Sequence, residues 1–237
     1  MKGLRMPLDT NTHPVMRRWP ATRPDAIQLY SFPTQNGTKV SIALEELGLD
    51  YEPHKVTLSD ADVRSPEFLS LNPNNKIPAI IDPDGPGGAP IALFESGAIL
   101  IYLAEKTGRL MGEGADRYHV IKWLMFQMGG VGPMFGQLGY FAKFAGAEIE
   151  DPRPRERYIN EGKRLLNVLE GELAERDWIA GDYSIADIAI GPWLRGLDYY
   201  GVKDVLGWEG LKSVPAYLDR FLARPAVQRG LTIPARD

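Results

Sequence analysis

The sequence predicts an α/β domain over residues 27–106 followed by an all-helical domain over 115–237, joined by a linker at 107–114. Two observations carry this division: up to Lys106 short strand-like apolar runs alternate with helical ones, and beyond the linker the apolar spacing is helical throughout. A third bounds it, because 44% hydrophobic residues in 237 supply one large core or two smaller ones.

Residues 1–26 carry Pro7, Pro14, Pro20 and Pro24, which discourage a continuous helix and leave an extended arm as the expectation. Ile27–Phe32 reads as a strand with hydrophobes on both faces, which suits an internal position. After the polar turn Pro33-Thr34-Gln35-Asn36-Gly37, the run from Thr38 places Val40, Ala43, Leu44 and Leu47 at helical intervals, and Gly48 can end that helix in the left-handed conformation. Tyr51–Leu58 offers a second strand and Pro66–Leu69 a short helix. The turn-rich Asn72–Pro78 leads into a strand at Ala79–Asp82. Beyond Pro83–Gly88, Pro90–Phe94 can pair with it as a hairpin before a helix opens at Glu95-Ser96-Gly97. The order β-α-β-α-β-β-α is that of a thioredoxin-like domain.

Beyond the linker, Tyr118–Phe144 is dense in aromatic residues suited to a core or interface, and its glycines at 129, 130, 132, 136 and 139 are expected to kink or closely pack it. Tyr158–Leu173 places Leu165, Leu166 and Leu169 on related faces of a helix. Ser184 can cap a further helix while Asp187 faces its early amides, a structural rather than chemical pairing. Pro215–Leu222 reads as another helix, with Arg224–Val227 a turn into a short terminal helix or tail.

Composition removes several function classes. The chain has no cysteine, which excludes disulfide scaffolds, thiolate metal clusters and chemistry on a thiol of its own. His13, His54 and His119 are widely spaced and match no metal-ligand pattern, so no metal is expected. A net charge of −4 offers no general attraction for nucleic acid. No apolar run reaches the roughly 20 residues that span a bilayer, and no export signal opens the sequence, which leaves a cytoplasmic location without membrane association as the expectation.

Thr34 and Asn36, placed just after the first strand, could donate hydrogen bonds to a ligand thiolate, although small polar residues there also make ordinary turns. Asn75, Lys76 and Ile77 combine a cation with exposed backbone at a proline-controlled bend. If the Ile77–Pro78 bond is cis, the bend turns the Ile77 backbone toward an extended ligand; a trans turn is the alternative. Glu95 and Ser96 at a helix start offer a carboxylate, a hydroxyl and unpaired amides to a zwitterionic peptide terminus, or simply cap the helix. Arg157, on its residues alone, reads as a surface ion-pair partner.

The runs Pro33-Thr34-Gln35-Asn36-Gly37, Asn72-Pro73-Asn74-Asn75-Lys76-Ile77-Pro78-Ala79, Phe94-Glu95-Ser96-Gly97-Ala98-Ile99 and Tyr183-Ser184-Ile185-Ala186-Asp187-Ile188-Ala189 together resemble bacterial glutathione transferases of the Nu class and, more distantly, the yeast prion-type transferase-fold proteins. The resemblance covers nearly all of Ile27–Gly230. It implies a thioredoxin-like domain with a helical glutathione transferase domain, and bound glutathione, reduced or oxidised, as ligand and cosubstrate. It assigns Thr34 and Asn36 to the glutathione sulfur, Lys76 to the glycyl carboxylate region, Ile77 to antiparallel backbone recognition, Glu95 with Ser96 to the γ-glutamyl end, and Arg157 to a contact from the helical domain, with Asn75 also among the glutathione-binding residues. The implied activity is glutathione-dependent disulfide reduction, with conjugation of electrophiles or reduction of peroxides as the alternative enzyme readings and a glutathione-binding regulatory or structural protein as the third. The partners implied are a small-molecule disulfide, electrophile or peroxide, and a second copy in a homodimer, with residues 1–26 over the dimer or the site entrance.

Overall fold

A computed structural model of the chain describes residues 8–236. Its contacts divide into two compact units, one of residues up to Thr107 together with those from Ala226 onward, the other Gly108–Pro225.

The first unit is built on a four-stranded sheet of β1 (Ile27–Ser31), β2 (Tyr51–Lys55), β3 (Ala79–Asp82) and β4 (Ile91–Phe94) in the order β2-β1-β3-β4. β2 runs parallel to β1, whereas β3 and β4 are antiparallel additions. β1 is buried at all five positions, as its two apolar faces require of a central strand. Four helices complete the unit's first pass: α1 (Gln35–Leu47), α2 (Asp60–Val63), α3 (Pro66–Leu71) and α4 (Ser96–Thr107). α1 starts three residues earlier than the apolar spacing suggests. The Thr34 hydroxyl accepts from Gly37 N at 3.1 Å and Thr38 N donates to Thr34 O at 2.9 Å, so the polar turn is itself the capped first turn of the helix. Gly48 closes α1 at φ 66°.

The described part of the N-terminal arm packs into this unit. Leu8, Val15 and Met16 join a buried cluster with Tyr30, Phe68 and Ile81, and Trp19 packs edge-on against Tyr30 and Phe68. Polar bonds hold it: Trp19 Nε1 donates to Lys55 O at 2.9 Å, and the Glu52 carboxylate accepts from Thr22 N at 3.0 Å and Arg23 N at 2.7 Å. Residues 8–26 thus lie against β1, β2 and α3; residues 1–7 lie outside the described part.

The second unit comprises α5 (Gly114–Phe126), α6 (Gly132–Lys143), α7 (Arg153–Glu172), α8 (Ile185–Tyr200), α9 (Lys203–Leu206) and α10 (Ser213–Leu222). The glycine-rich stretch between α5 and α6 is a π-helical turn at Gln127–Val131, a local underwinding of the helix, and Gly132, Gly136 and Gly139 beyond it pack closely, a Cβ at each meeting side-chain atoms within 3.5 Å. α8 is the central helix, buried from Ile185 through Leu194. Its capping box is present as read from the sequence, and Asp187 also accepts from Ile179 N at 3.0 Å. Burial lifts the Asp187 carboxyl to about 6 against the two amides that favour its charge. Glu170 of α7 caps α10 in the same manner from a distance, accepting from Lys212, Ser213 and Val214 amides at 2.8–2.9 Å.

The placement of 115–237 in one helical domain is corrected at its end. α11 (Pro225–Gly230) and the tail after it return to the sheet unit. The cause is close packing on α1. Ser41 Oγ donates to Gly230 O at 2.6 Å, Arg229 pairs with Glu45, and a Cβ at Gly230 would stand 2.6 Å from the Ile42 backbone.

Candidate functional site

Strand register decides which loops meet. Tyr30 pairs with Ala79, and Ala79 pairs with Phe94. The last residues of β1, the first of β3 and the last of β4 therefore share one end of the sheet. Thr34 and Asn36 follow β1, Asn75–Ile77 precede β3, and Glu95–Ser96 follow β4, so seven of the eight candidate residues emerge at that end. Arg157 lies exposed on α7 of the helical unit, within one helical turn of Glu161, whose carboxyl its charge helps to lower.

Thr34 is half-buried at the N-cap of α1. Because its oxygen accepts from Gly37 N, its proton remains free to donate, and Asn36 is the second residue of the helix, in the first turn where the macrodipole favours a negative charge. The loop reaches this position through Gly37, where a Cβ would lie 1.9 Å from Phe32 O. The neighbouring hydroxyls are withdrawn. Tyr30 Oη is buried with no hydrogen-bond partner among the described residues, burial pushes its phenol far up, and Ser31 is fully buried. Position and exposure thus favour Thr34 over the two strand residues as a donor to a ligand.

The Asn72–Pro78 loop is tied from within. Buried Asn72 accepts from Asn74 N at 2.9 Å and donates through Nδ2 to Lys76 O at 2.5 Å, and Asn75 takes φ 51°. The Ile77–Pro78 bond is cis. The Ile77 side chain joins the core cluster, while no hydrogen bond links its main chain to another described residue. Lys76 is exposed.

Glu95 is exposed and holds φ 70°, a left-handed backbone that costs a non-glycine residue about 1–3 kcal/mol. Ile99 N makes the first bond of α4 to Glu95 O at 3.0 Å, which leaves the amides of residues 96–98 ahead of the helical ladder. Ser96 is buried, and Lys39 Nζ donates to its Oγ at 3.3 Å.

Sequence reasoning missed Lys39 and the organising role of Asn72. α1 is buried from Gly37 through Leu44, so its lysine is fully enclosed. Burial lowers the Lys39 ammonium from its usual 10.5 to about 7, with Glu95 opposing the change. The usable signal was that Val40–Leu44 carries no charge at all, a mark of a helix covered on every side.

Among the described residues no group of three or more His, Asp or Glu side chains is placed to hold a metal ion, and no helix is long and apolar enough to cross a membrane.

Comparison with known proteins extends this picture. Residues 25–105 match the glutathione S-transferase N-terminal domain and 141–225 the glutathione S-transferase C-terminal domain. The chain is 44% identical over 208 residues to the disulfide-bond oxidoreductase YfcG of Escherichia coli, covering 86% of this chain and 94% of that protein. A glutathione transferase from Pseudomonas putida, crystallised with one glutathione disulfide per subunit, superposes with a TM-score of 0.94 at 58% identity, covering 96% of this chain and all of that one. Another from Burkholderia graminis, with two glutathione molecules per subunit, gives 0.94 at 59% identity and 97% coverage of both. With both domains matched in order and the four sequence runs placed at one sheet end and one helix cap, the chain belongs to the glutathione S-transferase family.

Proposed function

We propose that this protein uses bound glutathione to reduce disulfides, with Thr34 and Asn36 stabilising the glutathione thiolate. The observation that carries this reading is the half-buried Thr34 hydroxyl at the start of α1, whose oxygen accepts from Gly37 N and whose proton is left to donate, in a chain without any cysteine. The electrons come from glutathione. A bound thiolate attacks one sulfur of the substrate disulfide, forming a glutathione mixed disulfide and releasing the other half as a thiolate, which takes a proton from water. A second glutathione thiolate attacks the glutathione sulfur of the mixed disulfide, releasing glutathione disulfide and the remaining substrate thiolate. Donors aimed at the sulfur contribute where negative charge is redistributed in the transition state.

In this reading Glu95 and Ser96 bind the γ-glutamyl end, Ile77 pairs its free main chain with the ligand backbone, Lys76 faces the glycyl carboxylate, and Asn75 lies beside it in the glutathione site. Arg157 adds a cation from the helical unit, and the protein works as a homodimer. The relatives' disulfide chemistry and bound glutathione support the assignment.

The test is a glutathione reductase-coupled assay with a small symmetric disulfide, run beside a peroxide and an electrophile at matched protein concentration. Thr34→Ala and Asn36→Ala are expected to lower turnover by about 10²-fold, the scale of a lost transition-state donor, with little change in glutathione affinity. Glu95→Ala and Ser96→Ala should chiefly weaken binding. Rapid conjugation without disulfide turnover would replace the reaction, and turnover of none of the three substrates together with no glutathione binding by calorimetry would favour a regulatory or structural protein instead. Light scattering at a mass near two chains tests the dimer.

A further inference from the structure

We propose that Lys39 is the positioning residue of the γ-glutamyl subsite, its ammonium orienting the Ser96 hydroxyl, and that a carboxylate bound there draws a proton onto it. The inference rests on the assignment of Glu95 and Ser96 to the γ-glutamyl end. Lys39 has no solvent exposure, and its Nζ lies 3.3 Å from Ser96 Oγ, the first side chain of α4. An ammonium only donates, so Ser96 Oγ accepts from it, which fixes that oxygen at the helix start.

A buried ammonium is held at a cost unless negative charge faces it. Glu95, from the junction of β4 and α4, acts on Lys39 through its charge and is itself exposed. Ionisable groups on the other elements around α1 are engaged elsewhere: Glu45 with Arg229 of α11, Tyr102 of α4 with Asp82, and Tyr30 of β1 stacked on His54. In the free protein burial leaves Lys39 with a pKa of about 7, so it is only partly charged at pH 7.5. A ligand carboxylate on Ser96 adds a second negative charge within about 6 Å of Nζ, enough to make Lys39 almost wholly charged and to take up about 0.7 of a proton.

The experiment is isothermal titration calorimetry of the intact protein with S-methylglutathione, whose blocked sulfur removes thiol ionisation. Titrations at pH 7.5 in phosphate and in Tris, which differ in ionisation enthalpy, give the number of protons exchanged. The expected result is an uptake of about half to one proton for the wild type, with affinity falling between pH 7 and 9. Lys39→Met should bind at least about tenfold more weakly and exchange close to none. Ser96→Ala should lose affinity while Lys39 remains. Wild-type binding with a heat independent of buffer would overturn the proposal, as would undiminished uptake by Lys39→Met. Failure of the wild type to bind at all at millimolar ligand would instead remove the γ-glutamyl assignment, and this inference with it.

Discussion

Replacing Gly37 with alanine tests whether the geometry at the start of α1 sets the activity. The added Cβ would stand 1.9 Å from Phe32 O and 2.7 Å from Ser31 Oγ, where such contacts essentially never fall below 3.0 Å. Phe32 O cannot yield alone, because it accepts from Thr34 N at 2.7 Å. Relief therefore moves the Thr34 turn by about 1 Å, a displacement that in a positioned site costs on the order of 10²-fold in rate. Overpacking of this kind destabilises by about 1–3 kcal/mol. The assays are disulfide turnover with saturating glutathione and thermal unfolding. Gly171→Ala is the control: it lies in α7 with nothing within 4 Å of an added Cβ, and should stabilise by about 0.5–1 kcal/mol without changing turnover. A Gly37→Ala protein with wild-type turnover would refute the claim that the Thr34 turn is held to its place by close packing.

Asp187 binds its proton near pH 6 in the fold against 3.8 ordinarily, so the folded state holds more protons between these values and the group's contribution to stability grows as pH falls through that window. Asp187→Asn should erase this component, about 3 kcal/mol in full, in denaturant titrations at pH 4, 5, 6 and 7. Lys39 has the opposite linkage. Its ammonium is lowered in the fold, so the unfolded chain binds the extra proton between about pH 7 and 10.5, and wild-type stability should rise with pH by a few kcal/mol relative to Lys39→Met. Glu52→Ala removes the acceptor for Thr22 N and Arg23 N, and should cost about 1–3 kcal/mol while making the segment before Ile27 the first site of limited proteolysis.

The parts of this architecture legible in the sequence were those decided by neighbours in the chain. The β-α-β-α-β-β-α order follows from period-two runs bounded by proline, glycine and asparagine. The Ser184–Asp187 capping box is local chemistry at a three-residue spacing, and it appears as read. The start of α1 was misplaced because proline and glycine at its first turn mimic a free loop, while the cap that makes it helical is one hydroxyl. Thr34, Asn36, Glu95 and Ser96 could be named as donors from their types, but their shared end of the sheet depends on the register of Tyr30, Ala79 and Phe94. Lys39 was invisible for a different reason. A lysine in a helix is ordinarily solvated, and what meets the ammonium of this one is Ser96 of α4, far along the chain. Tertiary cover also explains α11, whose six residues say nothing of Ile42.

Because α11 packs on α1, the helical unit is an insertion within the sheet unit rather than an appendage to it. A ribosome delivers the strands first but withholds the segment that covers Ile42 and satisfies Ser41 until the helical unit has emerged whole. The unit begun first is thus finished last, and the helices have the opportunity to fold while the sheet still lacks one wall. A chain cut before Ala226 would carry its damage more than a hundred residues upstream of the break, in the helix that presents Thr34 and Asn36.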